Sequence, residues 1–147
     1  MVDDVLPAVG EPVQNIGIPM SGMDSWEKIG LHRSTCEIGN YVDLLEAGYH
    51  FNGSQRNQCS IVGGSSGSPL ISIKTGRIVA LMNTGVNDDS IGTPDCSINR
   101  PCEVASDGTS RSFPSFNYSQ RVAAIPSCFN SQGFFELKLA GCALERP

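Results

Sequence analysis

The chain has 147 residues, a length that fits one domain, and 39% of them are hydrophobic, which is enough to bury a core. Fifteen acidic and ten basic side chains give a net charge of −5, so no basic surface is available and we expect no nucleic-acid partner. The apolar runs are far shorter than the roughly 20 residues that span a bilayer, so we expect no membrane-spanning helix and no membrane partner.

Glycine and proline interrupt the sequence every few residues, and the apolar segments between them are short and rich in Val, Ile, Phe and Tyr, which is typical of strands and tight turns. The predicted strands are Val13–Ile18, Trp26–Leu31, Tyr41–Phe51, Pro69–Ile73, Arg77–Thr84 and Phe134–Leu139. Gly76 supplies the positive φ that a hairpin turn needs, so the fourth and fifth strands should pair antiparallel. The best helical segment, Ser119–Ile125, stops at Pro126. The pattern predicts an all-β domain, a six-stranded antiparallel barrel.

The composition divides the chain into three parts. Residues 1–12 are acidic and contain proline, and we predict a linker or an N-terminal extension. Residues 13–127 are predicted to form the β-barrel domain, and residues 128–147 a disulfide-closed C-terminal tail. Within the barrel domain, Asn87–Ser115 is rich in glycine and proline and is predicted to be a long loop pinned by a disulfide.

The sequence contains six cysteines and two histidines, without any Cys-x-x-Cys pair. This count suits disulfides better than a zinc site, and we predict an oxidising, extracellular compartment, hence a secreted protein. Six cysteines allow many pairings, and the spacings favour the local ones. The favoured pairs are Cys36 with Cys59, Cys96 with Cys102, and Cys128 with Cys142. Six buried thiols in a reducing compartment are the alternative.

One segment combines glycines and serines in a pattern that suits catalysis. Between Cys59 and Leu70 the sequence is Cys-Ser-Ile-Val-Gly-Gly-Ser-Ser-Gly-Ser-Pro-Leu. Glycines around a serine let successive backbone amides point the same way, which forms an anion-binding nest, such as an oxyanion hole, beside an exposed hydroxyl. The same composition also suits a surface turn or linker without any chemistry.

Gly64–Leu70 (Gly-Ser-Ser-Gly-Ser-Pro-Leu) resembles the nucleophile motif Gly-Asp-Ser-Gly-Gly-Pro-Leu of trypsin-like, chymotrypsin-fold serine peptidases, and particularly its bacterial Gly-x-Ser-Gly-Ser-Pro form. Gly76–Gly85 is similar to the next hairpin and substrate-binding edge strand of that family, and Tyr118–Val122 to its C-terminal Tyr-x-x-Arg-Val segment. The tail, with Cys-Phe-Asn-x-x-Gly and Gly-Cys, resembles secreted actinobacterial members. The resemblance implies that the predicted barrel is like the second barrel of this fold.

The resemblance also implies roles for individual residues. Ser66 falls on the nucleophile, and the backbone amides of Gly64 and Ser66 fall on the oxyanion hole. Ser60 falls at the base of the primary specificity pocket, where a serine attracts no charged side chain. The substrate-binding edge falls on Asn83, Thr84 and Gly85.

The base that a serine nucleophile needs is not found in the expected setting. In this family a histidine and an aspartate, in that order, come from an N-terminal barrel. Only 65 residues precede Ser66, and neither His32 nor His50 lies in the Thr-Ala-Ala-His-Cys setting of the family. The order His32, Asp43, Ser66 would allow a self-contained triad, but these positions fall where the second barrel has already begun. We therefore interpret the chain as the C-terminal half of a two-barrel peptidase, with the histidine and aspartate supplied outside it.

Two functions of different class stay open. The first is a secreted serine endopeptidase that hydrolyses peptide bonds through an acyl-enzyme, for which this chain supplies the nucleophile. The second is a catalytically inactive pseudo-peptidase that binds peptides along the Asn83–Val86 edge by strand addition; a structural or adhesive module is a weaker third. We expect a polypeptide substrate or ligand, an N-terminal barrel chain or a second copy as partner, and no cofactor or metal.

Overall fold

The computed structural model describes residues 1–18, 25, 27, 29–61, 63–86, 90 and 92–144. Eight strands lie in these ranges: β1 Pro12–Gly17, β2 His32–Glu46, β3 Tyr49–Asn57, β4 Pro69–Ser72, β5 Ile78–Gly85, β6 Cys102–Val104, β7 Ser110–Ser112 and β8 Asn117–Arg121. A short 3-10 helix spans Ile125–Cys128. No helix in the described ranges is long and apolar enough to cross a membrane.

Six of the strands close into a ring. Their hydrogen-bonded order is β1-β4-β5-β8-β3-β2, and the pairing of β1 with β2 completes the ring. β6 pairs with β2, and β7 pairs with β6, so these two short strands extend the sheet outside the ring. Every pairing between these strands is antiparallel. The all-β, antiparallel prediction is therefore confirmed, although the ring is not built from the six predicted strands.

The core is an apolar cluster to which strands β1, β2, β4 and β5 all contribute. It comprises Val13, Ile38, Cys59, Leu70, Val79, Ala80 and Met82. Along β1 the buried residues alternate with less buried ones, as expected for a strand with one face inward. Because β4 and β5 both enter this core, the segment that connects β3 to β4, which contains Ser66, is held against the ring.

The predicted strand Tyr41–Phe51 is wrong as a single element. It spans the end of β2, a two-residue turn and the start of β3, with Glu46 paired to Tyr49. Ala47 has φ 50° and Gly48 has φ 85°, the two positive values that a type I′ hairpin turn requires. Alanine rarely adopts this conformation, so Gly48 is the only local sign of a turn inside the predicted strand.

Two further predicted strands and the predicted helical segment also differ from the structure. Trp26–Leu31 lies partly outside the described residues, and its described part forms no strand. Phe134–Leu139 forms turns, with a single bridge between Phe129 and Phe135, because no neighbouring strand pairs with it. Ser119–Ile125 begins as the end of β8, which hydrogen-bonds to β3 and β5; these distant pairings override the local helical preference.

The structure contains three disulfides, Cys36–Cys59, Cys96–Cys102 and Cys128–Cys142, which are the pairs that the spacings favour. The first joins β2 to the segment after β3, next to the core. The second closes a loop directly before β6, and the third, called here the tail disulfide, closes the segment after the 3-10 helix. Three disulfides are consistent with an extracellular protein.

The predicted loop and the predicted linker both make defined contacts with the sheet. The region 87–115, of which residues 87–89 and 91 lie outside the described ranges, contains the β6–β7 hairpin. At the N-terminus, Val2 forms a parallel bridge with Ile78, and the Asp3 amide donates to the Ile78 carbonyl oxygen at 2.8 Å. The first residues of the chain are therefore bound to the start of β5.

Candidate active site

Ser66 lies at the exposed corner of a tight turn. The amide of Ser68 donates to the carbonyl oxygen of Ser65 at 3.0 Å, which closes the turn around Ser66 and Gly67. Gly67 has φ 84° whereas Ser66 does not have a positive φ, the sign pattern of a type II turn, in which glycine is preferred at the third position. Ser65 is buried beneath the turn while Ser66 is exposed. The local sequence therefore presents the Ser66 hydroxyl to solvent.

Strand β5 holds this turn through three hydrogen bonds. The amide of Gly67 donates to the Met82 carbonyl oxygen at 2.8 Å, and the amide of Met82 donates to the Ser68 carbonyl oxygen at 2.8 Å. The Ser66 hydroxyl donates to the carbonyl oxygen of Asn83 at 3.1 Å. The turn on which the resemblance places the nucleophile and the strand on which it places the substrate edge are thus in direct contact.

Asn15 of β1 holds the turn from the other side, and the sequence analysis did not identify it. Its Nδ2 donates to the Ser68 hydroxyl at 2.8 Å and to the Pro69 carbonyl oxygen at 3.1 Å, and the residue is buried. Next to it, a β-carbon at Gly17 would lie 3.1 Å from the Ser68 β-carbon, so a small residue is favoured there. These contacts join segments more than 50 residues apart, so no local pattern could have revealed them.

Two backbone amides beside Ser66 have no hydrogen-bond acceptor among the described residues. The amides of Gly64 and Ser66 donate to no acceptor within the described part of the chain. Gly64 has φ 90°, a left-handed conformation that redirects the backbone immediately before the turn. Unpaired amides beside an exposed hydroxyl are the components of an oxyanion hole. The convergence of the two amides on a single point stays a prediction.

A cavity of about 210 Å³ opens beside the turn. It is lined by Ile61, Gly63, Gly64, Ser65, Ser66, Met82, Asn83, Thr84, Gly85, Asn99 and Asn117. The structure therefore brings the predicted nucleophile, the predicted oxyanion glycine and the whole predicted substrate edge to one place. Ser60, placed at the pocket base by the resemblance, is exposed and is not part of this lining. No charged side chain belongs to the lining as described.

Asn117 forms one wall of the cavity, a role that the sequence did not indicate. Its Nδ2 donates to the carbonyl oxygen of Cys59 at 2.9 Å, which fixes the amide in place. A β-carbon at Gly85 would lie 2.1 Å from the Asn117 Oδ1, far inside any allowed contact. A larger residue at Gly85 would therefore force the Asn117 side chain to move, and the two residues together shape the cavity.

The disulfide-pinned loop forms another wall. One carboxylate oxygen of Glu46 accepts a hydrogen bond from the Thr84 hydroxyl at 2.9 Å and another from the Asn99 amide at 2.7 Å. The amide of Ala47 also donates to the Cys96 carbonyl oxygen at 2.7 Å. Glu46 thereby connects the β2–β3 hairpin, the substrate edge and the loop closed by Cys96–Cys102.

No general base is bonded to the candidate nucleophile. His32 starts β2 opposite Gly17, and His50 lies in β3 opposite Leu45; both are exposed. Asp43 accepts a hydrogen bond from the Gly53 amide at 2.7 Å within the β2–β3 hairpin. Among the described residues, the Ser66 hydroxyl is hydrogen-bonded only to a backbone carbonyl. The triad His32, Asp43, Ser66 is therefore not assembled in this structure.

The most perturbed titratable groups lie outside the cavity. Arg56 forms a two-point ion pair with Glu103 of β6, and the Tyr118 hydroxyl donates to the same carboxylate at 2.9 Å. The hydrogen bond that Arg56 donates to Glu103 raises the pKa of Arg56, while burial and then the hydrogen bond to Glu103 raise the pKa of Tyr118. Arg56 also lies over the ring of Phe116, 4.9 Å from its centroid. This network attaches β6 to the ring and has a structural role.

Searches of the chain against models of known protein families and against curated proteins find no match. The case for a function therefore rests on the geometry around Ser66.

Proposed function

We propose that this chain is the nucleophile-bearing half of a secreted serine endopeptidase, with a second-barrel fold of the chymotrypsin type. The observation that carries the proposal is the exposed Ser66 hydroxyl on a glycine-containing turn, beside the unpaired amides of Gly64 and Ser66. The adjacent cavity and the substrate edge of β5 supply a place for the residue that precedes the scissile bond. The six-stranded ring and the three disulfides agree with such a secreted barrel.

In this mechanism the Ser66 Oγ attacks the carbonyl carbon of a peptide bond and forms an ester with the acyl half of the substrate. The hydroxyl proton passes to a histidine of the missing half and then to the leaving amine. The amides of Gly64 and Ser66 donate to the oxyanion of the tetrahedral intermediate. Water then hydrolyses the ester and restores the hydroxyl. Until a base binds, the hydroxyl proton is directed to the Asn83 carbonyl oxygen, which cannot act as that base.

The test is labelling by a fluorophosphonate together with hydrolysis of a mixed peptide library. The chain alone should react too slowly to detect, because a triad enzyme without its base retains only roughly 10³ to 10⁴ of rate enhancement over water. Addition of a polypeptide that binds this chain and carries the histidine and aspartate should give stoichiometric labelling and hydrolysis. Ser66→Ala should abolish both, whereas Ser106→Ala, an exposed serine in the β6–β7 turn, should not.

Two results would contradict the proposal. Rapid labelling of Ser66 in the chain alone would show that a base is already present, and His32 and His50 would be the candidates. A stable complex with the histidine-bearing half that neither labels nor hydrolyses any peptide would show that Ser66 is not a nucleophile.

Peptide binding without catalysis is the second candidate, and a feature of β5 favours it. β4 pairs with β5 only from Ile78 to Leu81, so the same edge beyond Leu81 has no strand partner in the described residues. An extended peptide could add to this edge at Asn83–Val86 by main-chain hydrogen bonds. In that case peptides should bind the chain and its Ser66→Ala variant equally well and stay intact in the presence of the second half.

A further inference from the structure

We propose that the cavity beside Ser66 recognises a side-chain carboxamide, that of glutamine or asparagine, and that Asn117 is the residue that selects it. The inference rests on the proposed function only in that the ligand is a polypeptide held next to Ser66. The proposed specificity residue, Asn117, lies outside the Gly64–Leu70 segment that contains the nucleophile.

The orientation of the Asn117 amide is fixed by its partner. Nδ2 donates to the carbonyl oxygen of Cys59 at 2.9 Å, and because a carbonyl can only accept, the amide cannot be turned around. Oδ1 therefore faces the opposite way, against Gly85 of the cavity wall. No donor among the described residues reaches this oxygen, and it is not one of the buried unpartnered atoms. The Asn117 Oδ1 is therefore an acceptor at the cavity wall, next to Gly85, without a donor among the described residues.

Asn99 supplies a second polar group. Its backbone is held in a positive φ of 59° and bonded through its amide to Glu46, while its side chain forms no hydrogen bond within the described residues. The side chain is exposed at the rim of the cavity and can both donate and accept. A carboxamide has an NH₂ group for the Asn117 Oδ1 and a carbonyl oxygen for the Asn99 side chain.

Other side chains fit less well. A carboxylate has no donor for the Asn117 Oδ1. A lysine or arginine side chain would lose hydration without meeting a carboxylate in the described lining. A leucine would leave the Asn117 Oδ1 without a partner. The volume of about 210 Å³ is below the roughly 300–1,000 Å³ of small-molecule sites, so it suits one side chain.

The test measures binding and needs no catalysis. Acetylated tripeptides Ac-Ala-Ala-X with a free C-terminal carboxylate, where X is Gln, Leu, Lys or Glu, are titrated into the oxidised full chain, and the amide chemical shifts around Ser66 and Asn117 are followed by NMR. The Gln peptide should bind about three- to tenfold more tightly than the Leu peptide, as expected for one net hydrogen bond. Asn117→Leu should remove this preference, and Asn99→Gly, which keeps the positive φ, should reduce it.

Asn40→Leu is the matched control, because Asn40 is an exposed strand residue outside this cavity and should leave the preference unchanged. Tighter binding of the Leu, Lys or Glu peptide, or no shift with any peptide at about 10 mM, would overturn the inference even if Asn117→Leu fails to fold. A Gln preference in a chain whose complex with the second half never hydrolyses peptides would refute the peptidase and leave the inference standing. Hydrolysis by the complex without a Gln preference would support the peptidase and refute the carboxamide inference.

Discussion

The close approach of Asn117 to Gly85 predicts that Gly85→Ala destabilises the protein and closes the cavity beside Ser66. Gly85 is buried in β5 and does not have a positive φ, so its backbone conformation would accept alanine. The added β-carbon, however, would lie 2.1 Å from Oδ1 and 3.1 Å from Cγ of Asn117. The asparagine must therefore move, and it then loses the hydrogen bond to the Cys59 carbonyl oxygen.

The cost follows from these two changes. Forcing an extra methyl group into a packed site costs about 1–3 kcal/mol, and loss of the Asn117 hydrogen bond adds about 1 kcal/mol. The free energy of unfolding should fall by about 2–4 kcal/mol, which lowers the melting temperature by about 5–15 °C in a chain of this size. Urea and thermal unfolding of the oxidised protein, followed by circular dichroism, measure both quantities.

Two variants isolate the cause. Gly30→Ala is the matched control, because a β-carbon there meets no atom of a non-adjacent described residue within 4 Å and the residue has no positive φ, so stability should change by less than about 0.5 kcal/mol. The double variant Gly85→Ala, Asn117→Ala removes the obstructing oxygen and should be more stable than Gly85→Ala alone. A Gly85→Ala protein as stable as the unmodified chain, or a double variant as unstable as the sum of the two single ones, would refute the reasoning.

Three further predictions concern the supporting structure. Replacing both cysteines of the tail disulfide by serine should lower the free energy of unfolding by about 2–4 kcal/mol, measured by urea unfolding, and no change would show that the tail is not part of the cooperative unit. Arg56→Ala should cost about 3 kcal/mol because it leaves Glu103 buried without its cation, whereas Arg100→Ala, whose acidic partner is 50% exposed, should cost at most about 1 kcal/mol; equal losses would contradict this. Burial and Glu103 raise the pKa of Tyr118, so its contribution is complete below the unfolded tyrosine pKa of about 10 and is lost as the pH rises above it. Unfolding followed from pH 8 to 12 should therefore show stability falling less steeply in Tyr118→Phe, and identical slopes would exclude this origin.

The strands that could be predicted are those marked by a pattern in their own sequence. Alternation and flanking glycines placed Val13–Ile18, Pro69–Ile73 and Arg77–Thr84 within about a residue of strands β1, β4 and β5. The turn after Glu46 had only the single glycine Gly48 as a signal, and the positive φ of Ala47 is imposed by the pairing of β2 with β3. The strand at Asn117–Arg121 is stabilised by two partners distant in the sequence, which no local propensity records.

The candidate site divides in the same way. Ser66, Gly64 and the substrate edge lie in two continuous segments, so a motif could mark them, and the structure places them around one cavity. Contacts between distant elements bring three further residues to the site, namely Asn15, Asn99 and Asn117. The pairings of β1 with β4 and of β5 with β8, and the bond from Asn99 to Glu46, bring these side chains together, so sequence spacing could not have indicated them.

The closure of the ring has a consequence for how copies of this chain meet one another. A row of unpaired backbone groups along an outer strand can recruit the same strand of a neighbouring molecule and begin ordered aggregation. Here the pairing of β1 with β2 removes the two edges that an open sheet of these strands would have. The hydrogen-bonded order then ends at β7, which is three residues long and carries Arg111 at its centre. A short edge with a cation at its centre is a poor template, so β7 is a weak starting point for fibril growth.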